Sequence, residues 1–227
     1  MDHLGVFAKY WRPGAVKTRL GREIGMDAAA ELYRTMLETT VHRLAEVGDT
    51  RTIVFSPASS RGAFARIAVD RWACEPQVEG DLGERMQAFA TDALSSGAER
   101  VAIVGTDCPH LPPAWVHEAF ETLADYDVVL GPSTDGGYYL LGMRRLVGSR
   151  DGVPPIFKDI AWSTPEVFSQ TVARLAASDL SFAVLNETFD VDDSAGLRKL
   201  DDHLRHYDRD EALESLAGVV TSILADE

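Results

Sequence analysis

The sequence predicts an α/β fold with a largely parallel sheet, and three observations carry that prediction. Apolar, strand-like runs alternate with stretches of helical periodicity along most of the chain. Val101–Val104 is an unbroken apolar run, the pattern of a strand buried on both faces. Asp27–Val47 places Ala29, Leu32, Tyr33, Met36, Leu37, Val41, Leu44 and Val47 at helical spacing. Strands separated by helices of this length require right-handed crossovers.

In chain order, Leu4–Ala8 reads as a first strand, and residues 9–25, with Pro/Gly breaks and five basic side chains, as a functional loop. The helix 27–47 is followed by a strand at Thr52–Phe55, a helix over Ser59–Val69 and a short strand within Trp72–Val78. Glu84–Leu94 is helical, with Met86, Phe89, Ala90 and Ala93 on one face. Arg100–Val104 is the central strand, and Pro113–Ala124 a helix. Asp127–Leu130 and Tyr138–Met143 are strands, the second free to run antiparallel because only a short turn region joins it to the first. Pro165–Ala176 is a helix, Phe182–Leu185 a strand, and two helices follow, capped near Ser194 and Asp210. Neither a repeat nor a linker interrupts the series, so residues 1–227 read as one domain.

Composition narrows the function. The net charge of −14, from 22 basic and 36 acidic residues, argues against a nucleic-acid partner. No run of about 18 apolar residues exists to span a membrane, and the N-terminus lacks the pattern of a signal peptide, so the expected location is the cytoplasm. The two cysteines, Cys74 and Cys108, sit in neither a CxxC nor a zinc-spaced cluster and read as reduced packing residues. Apolar stretches near the C-terminal helices could pair two copies into a homodimer.

Six segments carry candidate chemistry. In Val101–Pro109, VAIVGTDCP, Asp107 emerges past the carboxyl end of a strand, where open α/β sheets bind ligands. A carboxylate there suits Mg²⁺; the alternative is capping of the following helix. In Ala8–Leu20, AKYWRPGAVKTRL, the residues Lys9, Arg12, Lys17 and Arg19 gather positive charge suited to a di- or triphosphate, and Gly14 allows close backbone approach. A solvated basic loop is the alternative. The segment is no Walker A loop, since Val16 precedes Lys17 where that motif has glycine, and GxGxxG is absent.

In Gly131–Tyr139, GPSTDGGYY, the run Asp135-Gly136-Gly137 is a turn signal that would equally form a pocket wall. There Asp135 would act as base or hold acceptor hydroxyls, and Tyr138 or Tyr139 would stack on a ring. In Asp190–Asp193, DVDD, extended backbone puts Asp190 and Asp192 on one face, which favours a cation beside them; helix capping accounts for one acid of the three. In Gly80–Met86, GDLGERM, Gly83 and Arg85 stand at a helix start whose free N–H groups attract anions, or on a plain surface turn. Lys158 and Trp162, in IFKDIAWST, suggest a lid or acceptor contact, with a core role for Trp162 as the alternative.

In order, AKYWRPGAVKTRL, GDLGERM, VGTDCPHLP, GPSTDGGYYLLGM, IFKDIAWSTPEVF and DVDD resemble the DUF2064 proteins of the glycosyltransferase A superfamily. These are similar to the molybdenum-cofactor guanylyltransferase and nucleotide-diphospho-sugar transferase group. The resemblance runs from about Val6 to Leu200. It implies a three-layer α/β/α sandwich with a mostly parallel sheet, the Rossmann-like GT-A fold. It implies that Lys17 and Arg19 contact nucleotide phosphates and that Asp107 is the metal-binding acid of a DxD-like element. Pro109 stands at the second acidic position of that element, so Asp190 or Asp192 would supply the missing ligand for Mg²⁺ or Mn²⁺.

The expected function is a metal-dependent transferase that moves a sugar from a nucleotide-diphospho-sugar to a small-molecule acceptor. Asp107 and Asp135 are the candidate catalytic residues. The alternatives are a nucleotidyltransferase, which consumes an NTP and releases pyrophosphate, and a non-catalytic nucleotide-binding module. The first of these is disfavoured by the absence of a Gly-x-Gly-x-x-Arg run in the N-terminal loop.

Overall fold

A computed structural model describes residues 1–68, 71–148, 152–206 and 210–225. The strands are β1 (Asp2–Lys9), β2 (Thr50–Ser56), β3 (Ala73–Pro76), β4 (Arg100–Val104), β5 (Val128–Pro132), β6 (Tyr138–Arg144) and β7 (Phe182–Val184). The helices are α1 (Thr18–Ile24), α2 (Met26–Arg43), α3 (Arg61–Ala68), α4 (Leu82–Ser95), α5 (Pro113–Thr122), α6 (Val167–Ala177), α7 (Ser194–His206) and α8 (Glu211–Ala225).

Among the described residues the strands form one sheet in the order β3-β2-β1-β4-β6-β5-β7. β1 lies parallel to β2 and to β4, β2 parallel to β3, and β5 parallel to β7. β6 runs antiparallel to both β4 and β5, as its short connection to β5 allows. The chain leaves β1 toward β2 and β3, then returns to β4 on the other side of β1. The crevice outside the carboxyl ends of β1 and β4 is therefore the topological switch point, where this architecture binds ligands.

The apolar run of β4 shows why the sheet is covered twice. Ala102 and Val104 join the core under α2, α3 and α5, while Val101 and Ile103 join the core under α4 and α6. A third cluster packs Leu20, Leu32 and Met36 against Leu197, Leu200, Leu213, Leu216 and Val220 of α7 and α8. The apolar residues of the C-terminal helices lie in part within this core. The apolar face of α8 is buried against α2 and α7, with Leu213, Leu216 and Val220 inside the chain's own core.

Two expectations change. Residues 9–25 are not all loop: Thr18–Ile24 is helical, because Leu20 and Gly21 pack inward on the start of α2. The helix predicted to reach Val47 ends at Arg43, with tight turns closing at Leu44 and Val47 before Gly48, whose φ is 73°. The helix predicted over 59–69 is α3, preceded by a 3₁₀ turn at Ala58–Ser60; Val69 lies outside the described residues. No helix among the described residues is long and apolar enough to cross a membrane.

Candidate active site

Lys17 lies at the centre of the switch point. Its backbone is left-handed, at φ 44° and ψ 42°, a conformation costly for a side chain without special context. That conformation turns the chain from the basic loop into α1 and directs the ammonium inward. Lys17 Nζ donates to Asp107 Oδ1, and to Asp192 Oδ1 at 2.6 Å. The lysine side chain is 3% exposed, against 49% for Asp107 and 43% for Asp192. Burial alone would lower the Lys17 pKa, but the two carboxylates outweigh it and hold the ammonium well above its ordinary value.

Backbone hydrogen bonds knit the same three segments together. Val191 N–H donates to Asp107 O at 3.0 Å, and Leu20 N–H to Asp192 O at 3.2 Å. Thr188 exchanges bonds with the end of β5 and the turn that follows it: Thr188 N–H reaches Pro132 O, and Thr134 N–H reaches Thr188 O. This draws DVDD toward the loop that carries Asp135. The carboxyl of Asp190 is pushed up to about 6, first by burial and then by the charge of Asp135, with Asp192 and Asp107 adding to it. Asp107 does not cap α5, whose preceding residue is Pro112; Asp193 caps α7 by accepting from Gly196 N–H at 2.9 Å.

The other candidate residues take different places. Lys9 and Arg19 are exposed, and Lys9 N–H donates to Tyr33 Oη at 2.9 Å. Gly14 has φ 76°, a turn that favours glycine, with open space where a side chain would stand. Asp135 is exposed and accepts from Ser133 Oγ at 2.5 Å and Gly137 N–H at 2.8 Å, forming a turn of its own. Gly136, at φ 90°, lies against the Pro165 backbone, where a Cβ would overlap it. Tyr138 packs its ring into the core under α4 and α6 beside Thr171, and burial pushes its phenol up. Tyr139 is buried, and its hydroxyl donates to Asn186 O.

The segment Gly80–Met86 forms the turn into α4. The start of α4 already carries two carboxylates: Asp81 Oδ1 accepts from Glu84 N–H, and Glu84 Oε2 accepts from Asp81 N–H. This capping box satisfies the Asp81 and Glu84 N–H groups. Gly83 also packs closely, because a Cβ there would overlap the Trp162 indole. Arg85 donates to Gly80 O at 2.8 Å and Gln77 Oε1 at 3.2 Å, which holds the turn before α4. Gln77 Nε2 in turn reaches the carbonyls of Ala8 and Val54 at the ends of β1 and β2.

Two site-supporting residues escaped the sequence reading. Tyr33, on the apolar face of α2, accepts from Lys9 N–H and from Thr106 Oγ1 and so ties the basic loop to the Asp107 loop. Arg43 donates to Pro109 O at 3.1 Å and Leu111 O at 2.7 Å, and pairs with Asp210 at 2.8 Å. Neither signal is local: Tyr33 reads as core, and Arg43 as an ordinary last-turn cation. Among the described residues no group of three or more His, Cys, Asp or Glu is arranged to hold a metal by itself. The donor set nonetheless fits a divalent ion. Asp107 and Asp192 offer half-exposed carboxylates, and Asp190 beside them has its carboxyl pushed up to about 6, first by burial and then by the charges of Asp135, Asp192 and Asp107.

A mixed sheet of this order, with acids and a lysine at the switch point, defines an α/β protein of the nucleotide-diphospho-sugar transferase and cytidylyltransferase folds. Residues 24–164 match the family described as "Uncharacterized protein conserved in bacteria (DUF2064)", and the chain belongs to that family. The structure is similar to that of an inferred nucleotide-diphospho-sugar transferase from Desulfovibrio desulfuricans G20. That likeness has a TM-score of 0.89 and 31% identity over 99% of this chain and 97% of the other. A cytidylyltransferase from Leptospira borgpetersenii shares the fold at TM-score 0.61 and 11% identity, over 100% of this chain and 97% of that one. A CMP:2-keto-3-deoxy-manno-octonic acid synthetase complexed with CTP does so at TM-score 0.56 and 12% identity, over 90% and 98%. No curated protein matches the sequence.

Proposed function

We propose that the chain is a transferase that uses a nucleotide-diphospho-sugar and a divalent metal ion to move a sugar to a small acceptor. The observation that carries this reading is the convergence of Lys17, Asp107 and Asp192 outside the carboxyl ends of β1 and β4. The likeness to a protein named for nucleotide-diphospho-sugar transfer, along nearly the whole of both chains, supports it. On this reading residues 1–227 form a single GT-A-like nucleotide-diphospho-sugar transferase domain.

Asp107 and Asp192, with Asp190 beside them, are the residues that would hold Mg²⁺ or Mn²⁺. Bound there, the ion supplies charge neutralisation to the departing diphosphate. Lys17 adds positive charge from a buried position, where it acts more strongly than in water. Lys9, at the end of β1, and Arg19, in the first turn of α1, are exposed and would meet phosphates as they arrive. Asp135, held by Ser133 and Gly137, is the acceptor anchor or base.

A second reading is nucleotidyl transfer, with attack on the α-phosphate of an NTP. It is supported by the fold shared with the cytidylyltransferase and the CTP-bound synthetase. A thermal-shift screen of nucleotides and nucleotide-sugars, with and without Mg²⁺ or Mn²⁺, tests both readings. A metal-dependent rise in Tm with a nucleotide-sugar supports sugar transfer. Pyrophosphate release from an NTP favours the second reading. A shift without turnover on any acceptor reduces the protein to a binding module.

A further inference from the structure

The cation already present between the acids is Lys17, and this bears on how a metal enters. Its ammonium bridges Asp107 and Asp192, two half-exposed carboxylates that an ion could reach. The lysine is held there from both ends. The left-handed backbone at Lys17 aims the stem inward, and its own carbonyl accepts from Gly21 N–H at 2.8 Å within α1. The neighbouring Val16 is buried with Trp11, Ala30 and Tyr33. The acids are fixed as firmly, since the backbone bonds of Val191 to Asp107 and of Leu20 to Asp192 leave their spacing little freedom. One oxygen of each carboxylate is engaged by the same ammonium, so an ion drawing on those oxygens must displace it.

Resting on the metal-dependent reading above, we infer that Lys17 is a resident counter-cation that competes with the divalent ion for Asp107 and Asp192. The free protein therefore holds metal weakly, and the ion gains its place when the ammonium is released toward the donor's diphosphate. A lysine suits such an exchange. Its compact charge rides on a flexible four-carbon stem, whereas an arginine fork would lock onto the carboxylates. Removal of the lysine charge should improve metal binding by the free protein, the opposite of what a lysine serving only as scaffold or phosphate ligand would do.

The test is Mn²⁺ binding by electron paramagnetic resonance to the full chain, without nucleotide. K17M keeps the length of the stem and removes the charge; K17R keeps the charge. The expected result is Mn²⁺ affinity raised roughly tenfold or more in K17M and unchanged or lowered in K17R. Equal or weaker binding by a folded K17M overturns the proposal. Should K17M fail to fold, the wild-type protein decides. The ¹⁵N signal of the Lys17 ammonium, observable when buried and ion-paired, should vanish as Mg²⁺ is titrated in. Its persistence at Mg²⁺ concentrations that perturb the Asp107 amide overturns the proposal, as does an absence of any Mg²⁺ effect on both signals. Tighter Mn²⁺ binding in K17M with no nucleotide binding to the wild type would retain the competition and discard the transferase. Metal-dependent nucleotide binding with an indifferent K17M would do the reverse.

Discussion

The Lys17 ammonium and the Asp192 carboxylate, 2.6 Å apart, join the loop after the first strand to the turn before α7. The pair is separated by 175 positions in sequence, so only the sheet order brings its members together. Everything that holds those two segments in register also holds the candidate site.

Tyr33 is one such support. In Tyr33→Phe, Lys9 N–H loses its acceptor and Thr106 Oγ1 its partner. Leaving a buried donor unpaired costs about 1–3 kcal/mol. Urea unfolding should show that loss, and hydrogen exchange should show the Lys9 amide losing protection while amides in the middle of β4 keep theirs.

Arg43 supports the Asp107 loop from behind through Pro109 O and Leu111 O, and restrains the start of α8 through Asp210. Arg43→Ala strips two carbonyls and one carboxylate of their donor. The expected cost is about 2–4 kcal/mol, measured by chemical denaturation. Arg43→Lys should recover only part of it, because an ammonium does not reproduce the guanidinium fork.

The alternation of strands and helices was legible because burial dictates it. Val101–Val104 must be apolar on both sides to sit between two helical layers, and β6 could be seen to turn back because a short loop cannot cross the sheet. The candidate acids were legible as positions just beyond strand ends. What the Lys17 ammonium does was not. A loop lysine gives no local sign that it will be buried against two acids from β4 and the turn before α7. The packing role of Gly83 was hidden for a related reason. Beside a helix start it reads as an anion site, whereas its lack of a side chain answers to Trp162, 79 positions away in sequence (162 − 83). Thr18–Ile24 was hidden among basic residues because its apolar face is only Leu20 and the bare Gly21.

Gly83 yields a clean prediction. Gly83→Ala forces a Cβ into the Trp162 indole, and such over-packing costs about 1–3 kcal/mol. In a chain of this size that lowers Tm by roughly 2–4 °C per kcal/mol. In a Trp162→Ala background the same change should cost little, and calorimetry on the four proteins of this cycle measures the difference.

His110 sets a pH dependence. Its ring is stacked on Phe189 with 4.1 Å between centroids, and Nε2 meets Thr188 Oγ1 at 2.9 Å. Burial first, then His203 and Arg43, lower its pKa from 6.5 to about 3. The unfolded chain therefore binds a proton that the folded chain refuses between those two values. Stability from this group is full above pH 6.5 and is lost as pH falls toward 3, by about 2–3 kcal/mol at pH 4.5. Asp190, whose raised pKa acts with the opposite sign, recovers part of this between about 6 and 3.8. Denaturation at pH 7 and pH 4.5 should show the two groups nearly offsetting each other in the wild type, and His110→Gln gaining about 2–3 kcal/mol relative to the wild type at the lower pH.

In the proposed function Asp107, hydrogen-bonded to Lys17 at the switch point, makes nucleotide binding depend on metal. The decisive measurement is calorimetric titration of wild type and Asp107→Ala with UDP- and GDP-sugars, in the presence and absence of Mn²⁺. Mn²⁺-dependent binding to the wild type is expected for at least one donor, with a loss of at least about a hundredfold in the folded variant. Equal binding by both proteins would overturn the proposal.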